Sequence, residues 1–150
     1  MSIDELDIAI LNELTKNARI SASYISQQIN LSVPAVSERI KRLKDKQYIE
    51  QYTTILNLPK FNINLVCFTF LTLRYTEGGI DRFKQFVDSE AEILECHQIT
   101  GEYEYLLKIA TANSRSLAEL LEKLRQEADV LTSSTSITLG ALKNEPSIRL

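Results

Sequence analysis

Residues 32–46 combine cationic and small side chains on one short stretch, a pairing of types that suits contact with a nucleic acid. Val33, Val36, Ile40 and Leu43 recur at spacings of three and four, so a helix here turns them inward. Pro34, Ala35, Ser37, Glu38, Lys41, Arg42 and Asp45 then face outward, with Arg39 at the edge. The early outward positions are small or hydroxylated and let the helix approach base edges closely. Arg39, Lys41 and Arg42 are cationic and suit phosphates. With the capping residues Ser21 and Ser32, the candidate DNA contacts are Ser21, Ser32, Pro34, Ala35, Ser37, Glu38, Arg39, Lys41 and Arg42.

Other elements must hold that helix in place. Ser32 is a natural cap for its start, and Pro34 fits its first turn, where a missing N–H costs nothing. Ser21 is the matching cap of a shorter helix whose apolar face is Ile25 and Ile29. Asn30 follows, and Asn tolerates the left-handed conformation that ends helices. Further upstream, Asp4 caps a first helix and Asp7 favours its positive end. Leu6, Ile10 and Leu14, helped by Leu11, form its stripe, and Asn17-Ala18 turn the chain onward. The three helices can close a small core, and the last two read as a helix-turn-helix. The plainer alternative is an ordinary helical hairpin with a solvated basic face.

The chain has 150 residues, 44% of them hydrophobic, which is enough for two small domains or one medium one with a packed core. Net charge is −3 and the pI is about 5.3, which argues against a protein that coats DNA by bulk charge. Arg39, Lys41, Arg42, Lys44 and Lys46 nevertheless crowd one stretch, so a local patch on an acidic body is expected. No apolar run is long enough to cross a membrane, and Met1-Ser2-Ile3-Asp4-Glu5 does not read as a secretion leader. Cys67 and Cys96 are isolated and fit buried thiols in a reducing cytoplasm. His97 is the only histidine, so neither a metal site nor a catalytic triad is expected.

After the helices the pattern changes. Residues 48–56 are rich in β-branched and aromatic side chains and read as a strand. Asn57-Leu58-Pro59-Lys60 breaks it as a hinge. Strands are then expected over 66–74, 93–99, 103–110 and 132–142, and helices over 80–88 and 114–127. The order β-α-β, β-α-β is a ferredoxin-like α+β arrangement, two helices on one face of a four-stranded antiparallel sheet. The other face carries apolar side chains with no cover within the chain, so a homodimer is expected. The expected division is 1–50 for the DNA-binding helices, 51–64 for strand and hinge, and 65–150 for the αβ sandwich.

The chain resembles the Lrp/AsnC family, the leucine- and asparagine-responsive or feast/famine regulators. The resemblance runs through Ile3-Asp4, Asp7, Ile10-Leu11, residues 17–21, Leu31-Ser32, Val36, residues 39–43 and residues 49–52. It resumes at Ile99-Thr100-Gly101 with residues 103–108 and ends at Thr135-Ser136-Ile137. It implies a winged helix-turn-helix joined to a sandwich that senses a small effector, typically an amino acid. It also implies dimers that assemble into octamers, and no cofactor. The implied effector residues are Gly101, Glu102, Tyr103 and Glu104 after the second sandwich strand, with Thr135 and Ser136 on the last strand. Backbone N–H groups there could hold a carboxylate and an acidic side chain an ammonium. The family often has Gly where Asn30 and Gln47 stand, and usually Asp where Glu104 stands. The plainer alternatives are a packed strand residue for Tyr103 and a solvated turn for Glu102 and Glu104.

Three functional classes follow. The leading one is a sequence-specific DNA-binding regulator tuned by a small molecule. The second is an effector-independent architectural protein that organises DNA. The third, an enzyme or its regulatory subunit, leaves the basic cluster unexplained.

Overall fold

The computed structural model describes residues 3–150; Met1 and Ser2, the start of the segment read above as unlike a leader, lie outside the described residues. The chain divides into two compact units. One comprises the residues up to Ile55 together with Lys143–Leu150; the other is Leu56–Leu142. The last eight residues were assigned above to the sandwich, but they group with the helical unit. Their anchor is Asn12, whose side chain donates to the Leu150 carbonyl (3.0 Å) and accepts from its N–H (3.1 Å).

In the helical unit, α1 (Glu5–Lys16), α2 (Ala22–Ile29) and α3 (Val33–Asp45) start where their caps predict. Asp4 accepts from the Asp7 N–H, and the Asp7 side chain accepts from the Asp4 N–H, a reciprocal capping box. Ser21 caps α2 through Tyr24 N–H (3.1 Å), and Ser32 caps α3 through Ala35 N–H (3.4 Å). Ile10, Leu11, Leu14, Ile25, Val36 and Leu43 make the shared core, as the inward stripes predict. Val33, also read as inward, is 42% exposed at the first position of α3, ahead of the turn that packs.

Asn30 sits at φ 53° and Gln47 at φ 60°, both left-handed. Asn30 suits that conformation, but Gln47 bears strain there. Gln47→Gly should therefore raise the helical unit's stability by about 0.5–1 kcal/mol, the left-handed penalty less glycine's entropic cost. Urea unfolding of the two forms measures it; an unchanged midpoint would show that Gln47 bears no such strain.

The expected strand over 48–56 does not form within the chain. Residues 48–49 form a bend, and 50–57 have no regular structure. A strand needs a neighbour to satisfy its backbone, and no strand among the described residues pairs with this stretch. Tyr52, Ile55 and Leu56 are exposed there. A short 3-10 helix, Leu58–Phe61, follows around Pro59.

The second unit has the expected order: β1 (Leu65–Leu73), α4 (Gly79–Ser89), β2 (Ile93–Gln98), β3 (Tyr105–Thr111), α5 (Ser114–Glu127) and β4 (Val130–Ile137). The sheet runs β2-β3-β1-β4 with every pairing antiparallel. β4 stops short of the expected Leu142 because β1 supplies no partner beyond Val66, whose carbonyl accepts from Thr138. Cys67, Leu71, Leu73, Leu107 and Ile109 project from the sheet into the core formed with Phe83, Phe86, Leu117, Leu120 and Leu124 of the two helices. Val66, Phe68, Phe70 and Leu106 alternate to the opposite face and are only half-buried. Cys67 is buried as expected of an isolated thiol, but Cys96 is exposed, because β2 lies at the sheet edge.

Candidate functional site

Along α3, Pro34, Ser37, Glu38 and Lys41 share one exposed stripe, with Lys44 on its flank. Ser21 and Ser32 are exposed, and each hydroxyl oxygen accepts one capping N–H, which leaves its O–H and a second lone pair available. Ala35 is half-buried on the flank.

Arg39 and Arg42 are placed differently from the sequence expectation. Asp7 lies on the buried stripe of α1, its side chain only 2% exposed. Arg39 Nη1 donates to Asp7 Oδ1 (2.7 Å) and to both Asp4 oxygens (2.9 and 2.8 Å). Arg42 Nη2 donates to both Asp7 oxygens, each at 2.8 Å. These two cations brace α3 against α1. The Arg39 guanidinium, then the Asp7 N–H, hold the Asp4 carboxyl below its ordinary range. One signal of this was legible. Asp7 shares a face with Ile10, Leu11 and Leu14, and a carboxylate on a buried stripe needs a partner. The partner's identity was not, because it stands more than thirty positions away. In the helical unit, Arg19, Lys41, Lys44 and Lys46 are exposed cations without an ion pair among the described residues.

In the second unit the β2–β3 turn holds the other candidates. Gly101 is exposed at φ 119°, a conformation that favours glycine, and a Cβ there would meet nothing within 4 Å. Ile99 N–H donates to the Glu104 carbonyl (2.8 Å) and closes the loop. Glu104 N–H is taken by the Leu71 carbonyl (3.0 Å). The N–H groups of Gly101, Glu102 and Tyr103 have no hydrogen-bond acceptor among the described residues. Tyr103 lies just before β3 and packs obliquely on Phe70, ring centroids 5.8 Å apart. Glu102 is exposed.

Glu104 is not a simple solvated turn residue. Its Oε2 accepts from the buried Leu73 N–H (2.9 Å) and its Oε1 accepts from the Tyr75 hydroxyl. The Tyr75 hydroxyl first, then the Leu73 N–H, hold its carboxyl below the usual range. The same contact pushes the Tyr75 phenol up. Sequence reading missed Tyr75, which the stretch between β1 and α4 brings to Glu104 Oε1.

Thr135 and Ser136 do not both join this loop. Thr135 bonds the buried Thr69 hydroxyl (2.9 Å), and Ser136 points to the opposite face. In register, Thr135 lies opposite Thr69, three positions from Thr72 and so about 10 Å along the strand from the Glu104 end.

The sequence profile of the winged helix-turn-helix DNA-binding domain matches residues 3–50. That of the Lrp/AsnC ligand binding domain matches residues 66–148. The leucine-responsive regulatory protein of Salmonella typhimurium is 34% identical over 145 residues, 94% of this chain and 87% of that protein. The proline dehydrogenase transcriptional activator of Rhizobium radiobacter is 32% identical, covering 94% of this chain and 92% of that one. A transcriptional regulator of Neisseria meningitidis, solved in complex with L-methionine, superposes with a TM-score of 0.94 at 27% identity, over 98% of this chain and 96% of that one. The cap-defined helix-turn-helix, the β2-β3-β1-β4 sheet and both profile matches converge: the chain belongs to the Lrp/AsnC family of transcription regulators.

Proposed function

We propose that this chain is a sequence-specific DNA-binding regulator whose activity is set by an amino acid. The observation that carries the DNA-binding half is the exposed stripe Pro34, Ser37, Glu38 and Lys41 on a helix braced from behind. The small N-terminal side chains read base edges, and Lys41 and Lys44 hold phosphates, with Ser21 and Ser32 at the rim. The effector half rests on the β2–β3 turn. Three open N–H groups at Gly101, Glu102 and Tyr103 suit a carboxylate, and the ionised Glu104 beside them suits an α-ammonium. The Salmonella relative's name and the methionine bound by the Neisseria protein support leucine or methionine as first candidates.

The proposed division is 1–50 for DNA binding, 51–64 for the linker and 65–150 for sensing and assembly, with the last eight residues grouping with the helical unit. The half-buried Val66, Phe68, Phe70 and Leu106 supply an apolar face suited to a second copy of the chain. Four such dimers, forming an octamer that acts in the cytoplasm, complete the proposed assembly.

Thermal-shift titration with the common amino acids, alongside a mobility-shift assay on the chain's own upstream DNA, tests both halves. The expected result is a specific shift of that DNA and a raised unfolding midpoint with one or a few amino acids. DNA binding with no amino-acid response would favour an architectural role instead.

A further inference from the structure

Glu104 has one permanent partner and one exchangeable partner. The Leu73 N–H belongs to a strand residue only 4% exposed and cannot leave without breaking the end of β1. Tyr75 is the opposite case. It lies past the end of β1, in the irregular stretch before α4, and is 90% exposed. Its ring packs against no aromatic neighbour among the described residues, and its one side-chain hydrogen bond is to Glu104 Oε1. A neutral phenol held by a single exposed hydrogen bond is a weak occupant. Both donors meet an ionised oxygen, but an ammonium adds the attraction of its own full positive charge.

Resting on the effector reading above, we infer that Tyr75 is an internal stand-in for the effector's ammonium, whose hydroxyl occupies Glu104 Oε1 until the effector displaces it. Tyr75 therefore sets the concentration at which the protein responds. With the stand-in bound, Glu104 keeps its charge and orientation in the empty state, so the site is formed before the effector arrives. The effector must outcompete the phenol, so affinity is lower than an unguarded carboxylate would give. The device also discriminates. A ligand that brings only a neutral donor gains nothing over Tyr75, whereas one that brings an ammonium does. Tyr75 is thus a specificity-determining residue for the proposed site, and it touches the effector's partner rather than the DNA face.

Calorimetric titration of L-methionine and L-leucine into the full-length protein tests this, comparing wild type, Tyr75→Phe and Glu104→Gln. Tyr75→Phe removes the competing hydroxyl and keeps the ring. Its affinity should rise roughly ten-fold, the low end for a hydrogen bond to a charged group because the phenol is exposed. Glu104→Gln should lose most binding. A second readout follows the ring: in protein labelled with 13C-tyrosine, the resonance missing from Tyr75→Phe should move as wild type is saturated. Wild-type binding that Tyr75→Phe leaves unchanged or weakens overturns the stand-in alone. Binding by Tyr75→Phe but not by wild type would support it. Absence of binding in all three proteins overturns the effector reading, and the stand-in with it.

Discussion

The double replacement Arg39→Ala, Arg42→Ala should destabilise the helical unit by about 3–5 kcal/mol, the usual cost of leaving a buried charge without its partner. Both arginines bond Asp7, whose side chain is 2% exposed. Their joint loss leaves that carboxylate with only the Asp4 N–H (3.3 Å). Either single change should cost less, because the other arginine still reaches Asp7. Arg39→Ala also frees Asp4, which can turn to water since its side chain is 51% exposed. Chemical denaturation of the four proteins closes the cycle and should show non-additivity. DNA binding would fall in the double variant as well, but through unfolding. A double variant that keeps its stability and loses only DNA affinity would show that the arginines contact phosphates and that the brace is incidental.

Lys41→Ala with Lys44→Ala should do the reverse, weakening DNA binding roughly ten-fold or more while stability stays within about 0.5 kcal/mol. Both side chains are exposed and neither has an ion pair among the described residues. The diagnostic is the salt dependence. Each phosphate contact contributes about one unit to the slope of log affinity against log salt, so the slope should shallow by about two per protomer bound. A weakened affinity with an unchanged slope would mean that the lysines act by reading bases or by shaping α3. An unchanged affinity would remove the outward stripe of α3 from the DNA interface.

Most of the helical unit was legible because its signals are local. Ser21, Ser32 and Asp4 are caps that read within four residues, and Asn30 marks a left-handed end by its own preferences. The ferredoxin-like order was legible from alternating periods, and α5 falls on its expected bounds, Ser114–Glu127. What failed depended on distant partners. Residues 48–56 have strand composition, but composition does not supply a neighbouring edge. Arg39 and Arg42 have the charge of phosphate contacts, and only the fold brings Asp4 and Asp7 to them. At the β2–β3 turn, the resemblance pointed to Glu104, while chemistry alone left it a polar loop residue. Tyr75 carried no sequence signal, since an exposed tyrosine before Thr76-Glu77-Gly78-Gly79 reads as ordinary loop.

The two-aspartate brace behind α3 also bears on the heat signature of binding. Asp4 and Asp7 serve the start of α1 and the flank of α3 at once, so the angle between the two helices is fixed before any DNA is met. A reading head locked in this way has no ordering entropy left to lose on contact. Its association should therefore lack the large negative heat-capacity change of a segment that folds as it binds, and show only the part that comes from the contact surface itself.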